Sequence, residues 1–154
     1  MGKTRFSGPI KSGSRPDTTG STPATNMKNV GDVVLSQTAS YGFANTTSWA
    51  TGIVIPANSQ IIDIVNQVDV VWDSATSDAL EIGLTGDADE YADVADLQAG
   101  GKSTVTATLA QTATWNDIGT SDIEVYLTIN SAGGSLTAGT GRITFLYVQN
   151  NNLV

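Results

Sequence analysis

QIIDIVNQVDVVW, residues 60–72, is the longest run of alternating apolar and polar residues in this sequence. From residue 62 onward, one phase is apolar apart from Asn66 and contains Ile62, Ile64, Val68, Val70 and Trp72. The other phase is mostly polar and contains Asp63, Gln67, Asp69 and Asp73, with Val65 and Val71 as exceptions. Because successive side chains of a β-strand point to opposite faces, the run predicts one long strand with a buried face, or two strands joined by a bend.

Shorter segments repeat this period of two along the rest of the chain. They cover residues 32–38, 47–55, 78–86, 103–110, 122–129 and 141–149. In the segment 103–110 the residues predicted to point inward are Val105, Ala107 and Leu109. The last segment is apolar on both faces, which is typical of a central strand.

Residues 87–101, DADEYADVADLQAGG, interrupt this pattern. Tyr91, Val94 and Leu97 recur at every third residue, and Gly100 and Gly101 close the segment. This spacing predicts a short helix or a turn-rich loop.

Seven or eight short strands with at most one short helix predict an all-β protein. The expected architecture is an antiparallel two-sheet sandwich of the jelly-roll type over residues 29–154, with an immunoglobulin-like sandwich as the alternative. Residues 1–28 are rich in Gly, Ser, Thr and Pro and contain few apolar residues. They predict an extended N-terminal arm that cannot build a core of its own.

Charge divides the chain at the same boundary. Residues 29–154 carry two bases against fourteen acids, a net charge of −12, whereas the arm carries five bases against Asp17, a net charge of +4. The bases of the arm are Lys3, Arg5, Lys11, Arg15 and Lys28. Such asymmetry indicates a tail that binds another molecule. Because +4 without an Arg-rich run is a weak signal for nucleic acid, we expect a polar or acidic protein partner, with Phe6 and Ile10 as apolar anchors.

The composition excludes several classes of function. The chain has no Cys and no His, which removes disulfides, imidazole metal sites and His-based acid–base catalysis. The only bases beyond the arm, Lys102 and Arg142, sit in no catalytic motif. The sequence contains no run of 18 apolar residues, so we expect no membrane-spanning helix. The N-terminus lacks the apolar core of a secretory signal. We therefore expect neither enzymatic activity nor a cofactor.

The densest acidic cluster lies in the interrupted segment. It consists of Asp87, Asp89, Glu90, Asp93 and Asp96. Asp87, Asp89 and Asp93 are weak candidates for a cation site, because alternating carboxylates can surround Ca²⁺. An EF-hand loop would need Gly and Glu at its sixth and twelfth positions, and those positions hold Ala92 and Gln98. We interpret the cluster as a solvated acidic loop and expect no metal.

Two other groups of residues could carry function. Paired carboxylates hydrolyse glycosides when they stand roughly 5–10 Å apart. At ~3.3 Å per residue of strand, Asp69 and Asp73 would be ~13 Å apart, so a polar outer face is the better interpretation. Trp72 is in phase with the buried face, whereas Trp49 and Trp115 lie beside polar residues and could line a surface for a sugar or a protein partner.

The run IPANSQIIDIVNQVDVVWDSATSDALEIGLTGDADEYAD, residues 55–93, and the closing GTGRITFLYV, residues 139–148, resemble small structural proteins of tailed bacteriophages that decorate or cement the capsid. The opening RFSGPIKSG, residues 5–13, is similar to the N-termini of phage head proteins. The resemblance covers most of residues 5–149 and involves no catalytic motif.

This resemblance implies a jelly-roll-like protein that binds the outside of a phage head as a dimer or trimer. The implied partner is the major capsid protein, and the implied location is the virion surface, after assembly in the host cytoplasm. The residues of the arm expected to contact the capsid are Lys3, Arg5, Phe6, Ile10, Lys11 and Arg15. Two alternatives stay open: a tail-fibre or receptor-binding module that stacks sugars on Trp49 or Trp115, and a shell protein whose arm faces the genome.

Overall fold

A computed structural model describes residues 11–12, 31–45, 48–94 and 96–149. The described chain forms short and long β-strands with one helix among them. In chain order the elements are β1 (Lys11–Ser12), β2 (Gly31–Asp32), β3 (Val34–Gly42), β4 (Trp49–Ile55), β5 (Ser59–Val70), β6 (Ser77–Gly83), β7 (Ala92–Val94), β8 (Gly101–Ser103), β9 (Val105–Thr106), α1 (Leu109–Asn116), β10 (Ile123–Ala132) and β11 (Thr140–Gln149).

The long strands form two antiparallel sheets. One has four strands in the order β3-β11-β5-β8, and the other has five in the order β4-β10-β6-β7-β9. Chain neighbours repeatedly change sheet, as β3 and β4, β5 and β6, and β10 and β11 all do. This alternation is the strand order of a jelly roll and confirms the predicted sandwich. In an immunoglobulin-like sandwich, hairpin partners remain in one sheet, so that alternative is wrong.

Two β-bulges in β5 change which of its residues face the core. In the ladder with β11, Ile61 and Asp63 have successive partners, so Ile62 is left unpaired, and Asp69 is skipped in the same way. A bulged residue shifts the phase of the strand around it. Ile62 and Val70 are therefore 46% and 48% exposed, and the prediction that both are buried is wrong.

The rest of the predicted face of β5 is confirmed. Ile64, Asn66 and Val68 are buried, and Trp72, just beyond the strand, is buried too. These residues pack against the core faces of β10 and β11, which follow the predicted alternation closely. Strand β11 lies between β3 and β5, which confirms that it is internal to its sheet. Each fully buried aliphatic side chain of this core contributes about 1.5–3 kcal/mol of apolar transfer free energy.

The helix does not lie in the acidic segment, for which a short helix or a turn-rich loop was predicted. Residues 87–94 and 96–100 form turns and β7, and Tyr91, Val94 and Leu97 are all buried. Helix α1 instead begins at Leu109, inside a segment predicted as strand, and Leu109 is 92% exposed. The cause is a capping box: Thr108 Oγ1 accepts from the backbone N–H of Gln111, and Gln111 Oε1 accepts from the backbone N–H of Thr108.

Part of the predicted arm lies within the described residues. Strands β1 and β2 pair in antiparallel fashion, with Lys11 opposite Asp32 and Ser12 opposite Gly31. Five of the predicted capsid contacts lie outside the described residues, namely Lys3, Arg5, Phe6, Ile10 and Arg15.

In the described ranges, no helix has the length and apolar character needed to cross a membrane.

Candidate interaction surfaces

The outer face of the four-stranded sheet carries both bases of residues 29–154. Arg142 on β11 stands opposite Ser40 on one side and Gln67 on the other, and Gln67 stands opposite Lys102 on β8. The two bases therefore belong to one row across the sheet, two strands or about 10 Å apart. Arg142 forms a bidentate ion pair with the bulged Asp69, with N–O distances of 2.8 and 2.9 Å.

The guanidinium of Arg142 lowers the pKa of Asp69 by donating hydrogen bonds to its carboxylate. Both side chains are exposed, so water and salt screen this pair and it contributes little to stability. Its structural effect is local, because it holds the bulge of β5 against β11. With Lys102 and Asp63 included, the outer face of this sheet carries two bases and two acids among the described residues.

The outer face of the five-stranded sheet is acidic. Glu81 on β6 stands directly opposite Asp93 on β7, and Glu124 lies near the start of β10. Like charges opposite one another on a sheet repel. None of the strands in this sheet contains Lys or Arg. The two broad faces of the sandwich therefore differ in electrostatic character.

A cleft of about 810 Å³ opens at the end of the sandwich where β10 begins. Its apolar floor includes Leu84, Tyr91 and Ile118, and its carboxylates are Asp87, Glu90, Asp117, Asp122 and Glu124. Two of these carboxylates have structural partners: Asp122 accepts from the backbone N–H of Ala57 at 2.9 Å, and Asp117 from that of Gly119 at 2.8 Å. No base lines the cleft among the described residues.

The acidic cluster predicted from residues 87–96 occupies the turns beside this cleft. Burial, with the nearby Asp87 carboxylate, raises the pKa of Glu90. A side-chain hydrogen bond with Asp87, and to a smaller extent burial, raises the pKa of Asp89. Asp96 closes a local turn by accepting from the backbone N–H of Gln98 at 2.7 Å. Within the part of the chain that the structure describes, no three acidic residues are arranged to hold a metal ion.

Asp73 is a structural anchor for the loop between β10 and β11. Its carboxylate accepts from the hydroxyl and the backbone N–H of Thr137, at 2.5 and 2.9 Å, and from the backbone N–H of Ala138 at 3.1 Å. These hydrogen bonds lower the pKa of Asp73. With Asp69 paired to Arg142, both of these carboxylates have structural partners.

The three tryptophans have different surroundings. Trp72 is a core residue, as predicted, and its ring stacks on Tyr41 with centroids 5.3 Å apart. Trp115 on α1 is half-buried, and its indole N–H donates to the carbonyl oxygen of Tyr91 at 3.0 Å. Trp49 is half-buried beside Tyr41, with ring centroids 6.4 Å apart. Surface recognition by the exposed parts of Trp49 and Trp115 stays a prediction.

One buried polar pair was not predicted from the sequence. The hydroxyl of Tyr41 donates to Asn66 Oδ1 at 2.5 Å, and burial raises the pKa of Tyr41. Asn66 is fully buried, and its Nδ2 has no partner among the described atoms. The polar interruption in residues 60–72 is thus an internal hydrogen-bond acceptor. Its partner lies 25 residues away, and no local pattern links the two.

Comparison with protein-family models and with curated protein sequences gave no match. Two solved structures contain chains of similar fold. One is a chain of the acidic stable capsid structure of Helicobacter pylori bacteriophage KHP30, with a TM-score of 0.55 and 15% identity over 75% of this chain and 87% of that one. The other is a chain of the cyanophage Pam1 capsid asymmetric unit, with a TM-score of 0.49 and 16% identity over 75% and 84% of the two chains. At such identities the likeness concerns the fold.

Proposed function

We propose that this protein is a structural component of a tailed-bacteriophage virion, which binds the outer surface of the head and cements neighbouring capsomers. The observation that supports this most directly is the strand order, β3-β11-β5-β8 against β4-β10-β6-β7-β9. Jelly rolls of this kind are common in viral capsids. The chain of similar fold in the KHP30 capsid structure supports the same assignment.

The surface chemistry fits a protein that binds a lattice without performing a reaction. A face that carries the two bases of residues 29–154 lies opposite an acidic face, so one side can meet a capsid while the other faces solvent. Individually weak contacts would add up on a repeating surface, since each bound neighbour raises the effective concentration of the next contact. A dimer or trimer would strengthen binding further in the same way.

Imaging of intact particles tests this proposal. Heads of the phage that encodes this chain are compared by electron cryomicroscopy with heads made without it. The proposal expects additional density of 15.9 kDa per copy on the outer surface, arranged around symmetry axes, and intact but less robust heads in its absence. Density confined to the tail, or the loss of all heads, would contradict a cementing role.

Truncation tests the contribution of the arm. Recombinant chains with and without residues 2–28 are titrated onto purified heads that lack the protein, and occupancy is measured. We expect the truncated chain to bind much less. Unchanged occupancy would remove the arm from the binding mechanism. Salt-dependent binding of nucleic acid by the intact chain would instead favour a shell protein whose arm faces the genome.

A second candidate function is recognition of a sugar or receptor by a tail-fibre module. The cleft beside β10 favours it, because 810 Å³ is within the size range of small-ligand sites and aromatic Tyr91 and Tyr126 line it. A glycan array probed with the intact chain distinguishes the candidates. Glycan binding that disappears with Tyr126→Ala would place the sugar in this cleft, and glycan binding that disappears with Trp49→Ala or Trp115→Ala would place it on the predicted aromatic surface. Either result, together with no binding to heads, would replace the cementing proposal.

A further inference from the structure

Strand β3 presents an open edge. It pairs with β11 over nine residues, and no described strand lies on its other side. A long unpaired edge exposes backbone donors and acceptors that favour another strand. The sandwich is also less closed here: Leu35, Gln37 and Ala39 point inward but are only half-buried, whereas Ile143 and Phe145 on the neighbouring β11 are fully buried.

The short β1–β2 ladder lies directly before β3 in the chain and supplies a register for the arm. In the two described pairs, Lys11 with Asp32 and Ser12 with Gly31, the residue numbers sum to 43. Strand β2 is separated from β3 by Val33 alone. Because the pairing is antiparallel, residue numbers fall along β1 as they rise along β2. Continuing the ladder in this register would place residues 3–10 alongside residues 33–40.

We propose that residues 3–10 of the same chain pair with the open edge of β3 in this register and form the fifth strand of the sheet. In this register the apolar residues of the arm face inward and its basic residues face outward. Phe6 falls opposite Gln37 of β3, and Ile10 falls opposite Val33, the residue just before β3. Both partners are half-buried and share the inward phase. Arg5 falls opposite Thr38 and Lys3 opposite Ser40, and both of these partners are exposed on the outer face.

The inward-facing residues of this strand would cover the part of the core that is half-buried beside β3. Gln37 bridges the two sheets here, since its side chain bonds the backbone N–H and C=O of Val54 on β4 at 3.1 and 2.5 Å. An aromatic ring at Phe6 would cover this bridge and the half-buried Leu35. Pro9 is compatible with a strand only at the edge of a sheet, which is where this strand would lie.

The outward positions extend the row of bases on the four-stranded sheet. Lys3 opposite Ser40 would complete a row with Arg142 and Lys102, at intervals of two strands or about 10 Å. Arg5 would lie in the next row. Without the arm this face carries as many acids as bases among the described residues, and with Lys3 and Arg5 it becomes positive. If the chain cements heads as proposed, this face meets the capsid.

Paired cysteines test the register, because the natural chain contains no Cys. The variants Arg5→Cys/Thr38→Cys and Lys3→Cys/Ser40→Cys place the two thiols opposite each other, where cross-strand Cβ atoms stand about 4.5–5.5 Å apart. The control Arg5→Cys/Ser36→Cys is two residues out of register. The intact purified chain is oxidised mildly, and disulfide formation is followed by thiol titration and non-reducing electrophoresis.

We expect both in-register pairs to form intramolecular disulfides at least tenfold faster than the control. Equal rates for all three pairs would overturn the proposed register, and covalent dimers would show that the strand comes from a second copy instead. Hydrogen exchange gives an independent readout: deleting residues 2–10 should accelerate exchange of β3 amides that do not bond β11, and unchanged exchange would overturn the pairing. Neither test uses phage heads, so failure here is distinct from failure of the cementing function.

Discussion

Gly139 lies against the indole ring of Trp72. A Cβ atom added at Gly139 would stand 2.5 Å from Cδ2 of Trp72, and the backbone of Gly139 has a φ of +139°. The Gly-rich turn before β11 is therefore shaped to the largest side chain of the core. Asp73, next to Trp72, holds the same turn through Thr137 and Ala138. The turn and the end of the long β5 segment thus stabilise each other.

Gly139→Ala is expected to destabilise the fold by about 2–4 kcal/mol, because overpacking of the core and a strained backbone conformation both contribute. Urea unfolding followed by tryptophan fluorescence measures the change. Gly134→Ala is the matched control, since Gly134 has a φ of +141° but nothing within 4 Å of the added atom. Equal losses for the two variants would show that contact with Trp72 is unimportant.

Tyr41→Phe is expected to lower the free energy of unfolding by about 1–3 kcal/mol, because it leaves the Oδ1 atom of the buried Asn66 without its hydrogen-bond donor. The free energy of unfolding measures this cost. Tyr147→Phe removes a hydroxyl that bonds Gln37 in a partly buried position, and we expect a smaller loss for that control. A larger loss for Tyr147→Phe would contradict the importance of the Tyr41–Asn66 pair.

Acidic pH is expected to act on the fold in two opposite ways. Asp89 and Glu90 have raised pKa values, so their protonation stabilises the fold as the pH falls from neutral toward those values. Asp69 and Asp73 have lowered pKa values, so their contribution is present above the ordinary Asp value of 3.8 and is lost as the pH falls through their folded values. Thermal unfolding between pH 7 and pH 2 should show stability held or increased first and reduced below pH 3.8.

Thr137→Val separates the two effects, since it removes the hydroxyl donor to Asp73 and moves the pKa of that carboxyl toward its ordinary value. The loss of thermal stability below pH 3.8 should become smaller. The change of stability with pH above pH 5 should be the same as in the natural chain. If the variant and the natural chain lose the same amount of stability below pH 3.8, the hydrogen bond from Thr137 does not control that loss.

The sequence predicted the parts of this fold that depend on simple alternation. Strands β10 and β11 lie where the period of two placed them, and together with Trp72 they indicated a core between two sheets. Ile62 was misplaced because a bulge is a property of the pairing between two strands, which one strand's pattern does not contain. The helix was missed although Thr108 and Gln111 carry a capping-box signature, because the apolar alternation of Val105, Ala107 and Leu109 suggested a strand.

The surfaces were harder to predict than the core. Lys102 and Arg142 lie 40 residues apart and share a row only because β5 pairs with both β8 and β11. The cleft beside β10 combines the turn after β6 with the segment after α1, and no local motif joins these two. The charge contrast between the arm and residues 29–154 was visible in the sequence, whereas the segregation of charge between the two sheets required the strand order.

Lys102→Gln is expected to weaken binding to phage heads, because it removes a base from the face that we propose meets the capsid. The equilibrium occupancy of purified heads, measured at low and moderate salt, should fall several-fold at low salt and differ less at higher salt, where exposed charges are screened. Thr106→Glu is the matched control. It changes the net charge by the same amount, at an exposed position of β9 in the acidic sheet. Equal losses for the two variants would indicate that net charge alone governs binding. A loss confined to Thr106→Glu would place the contact on the opposite face and contradict the proposed orientation.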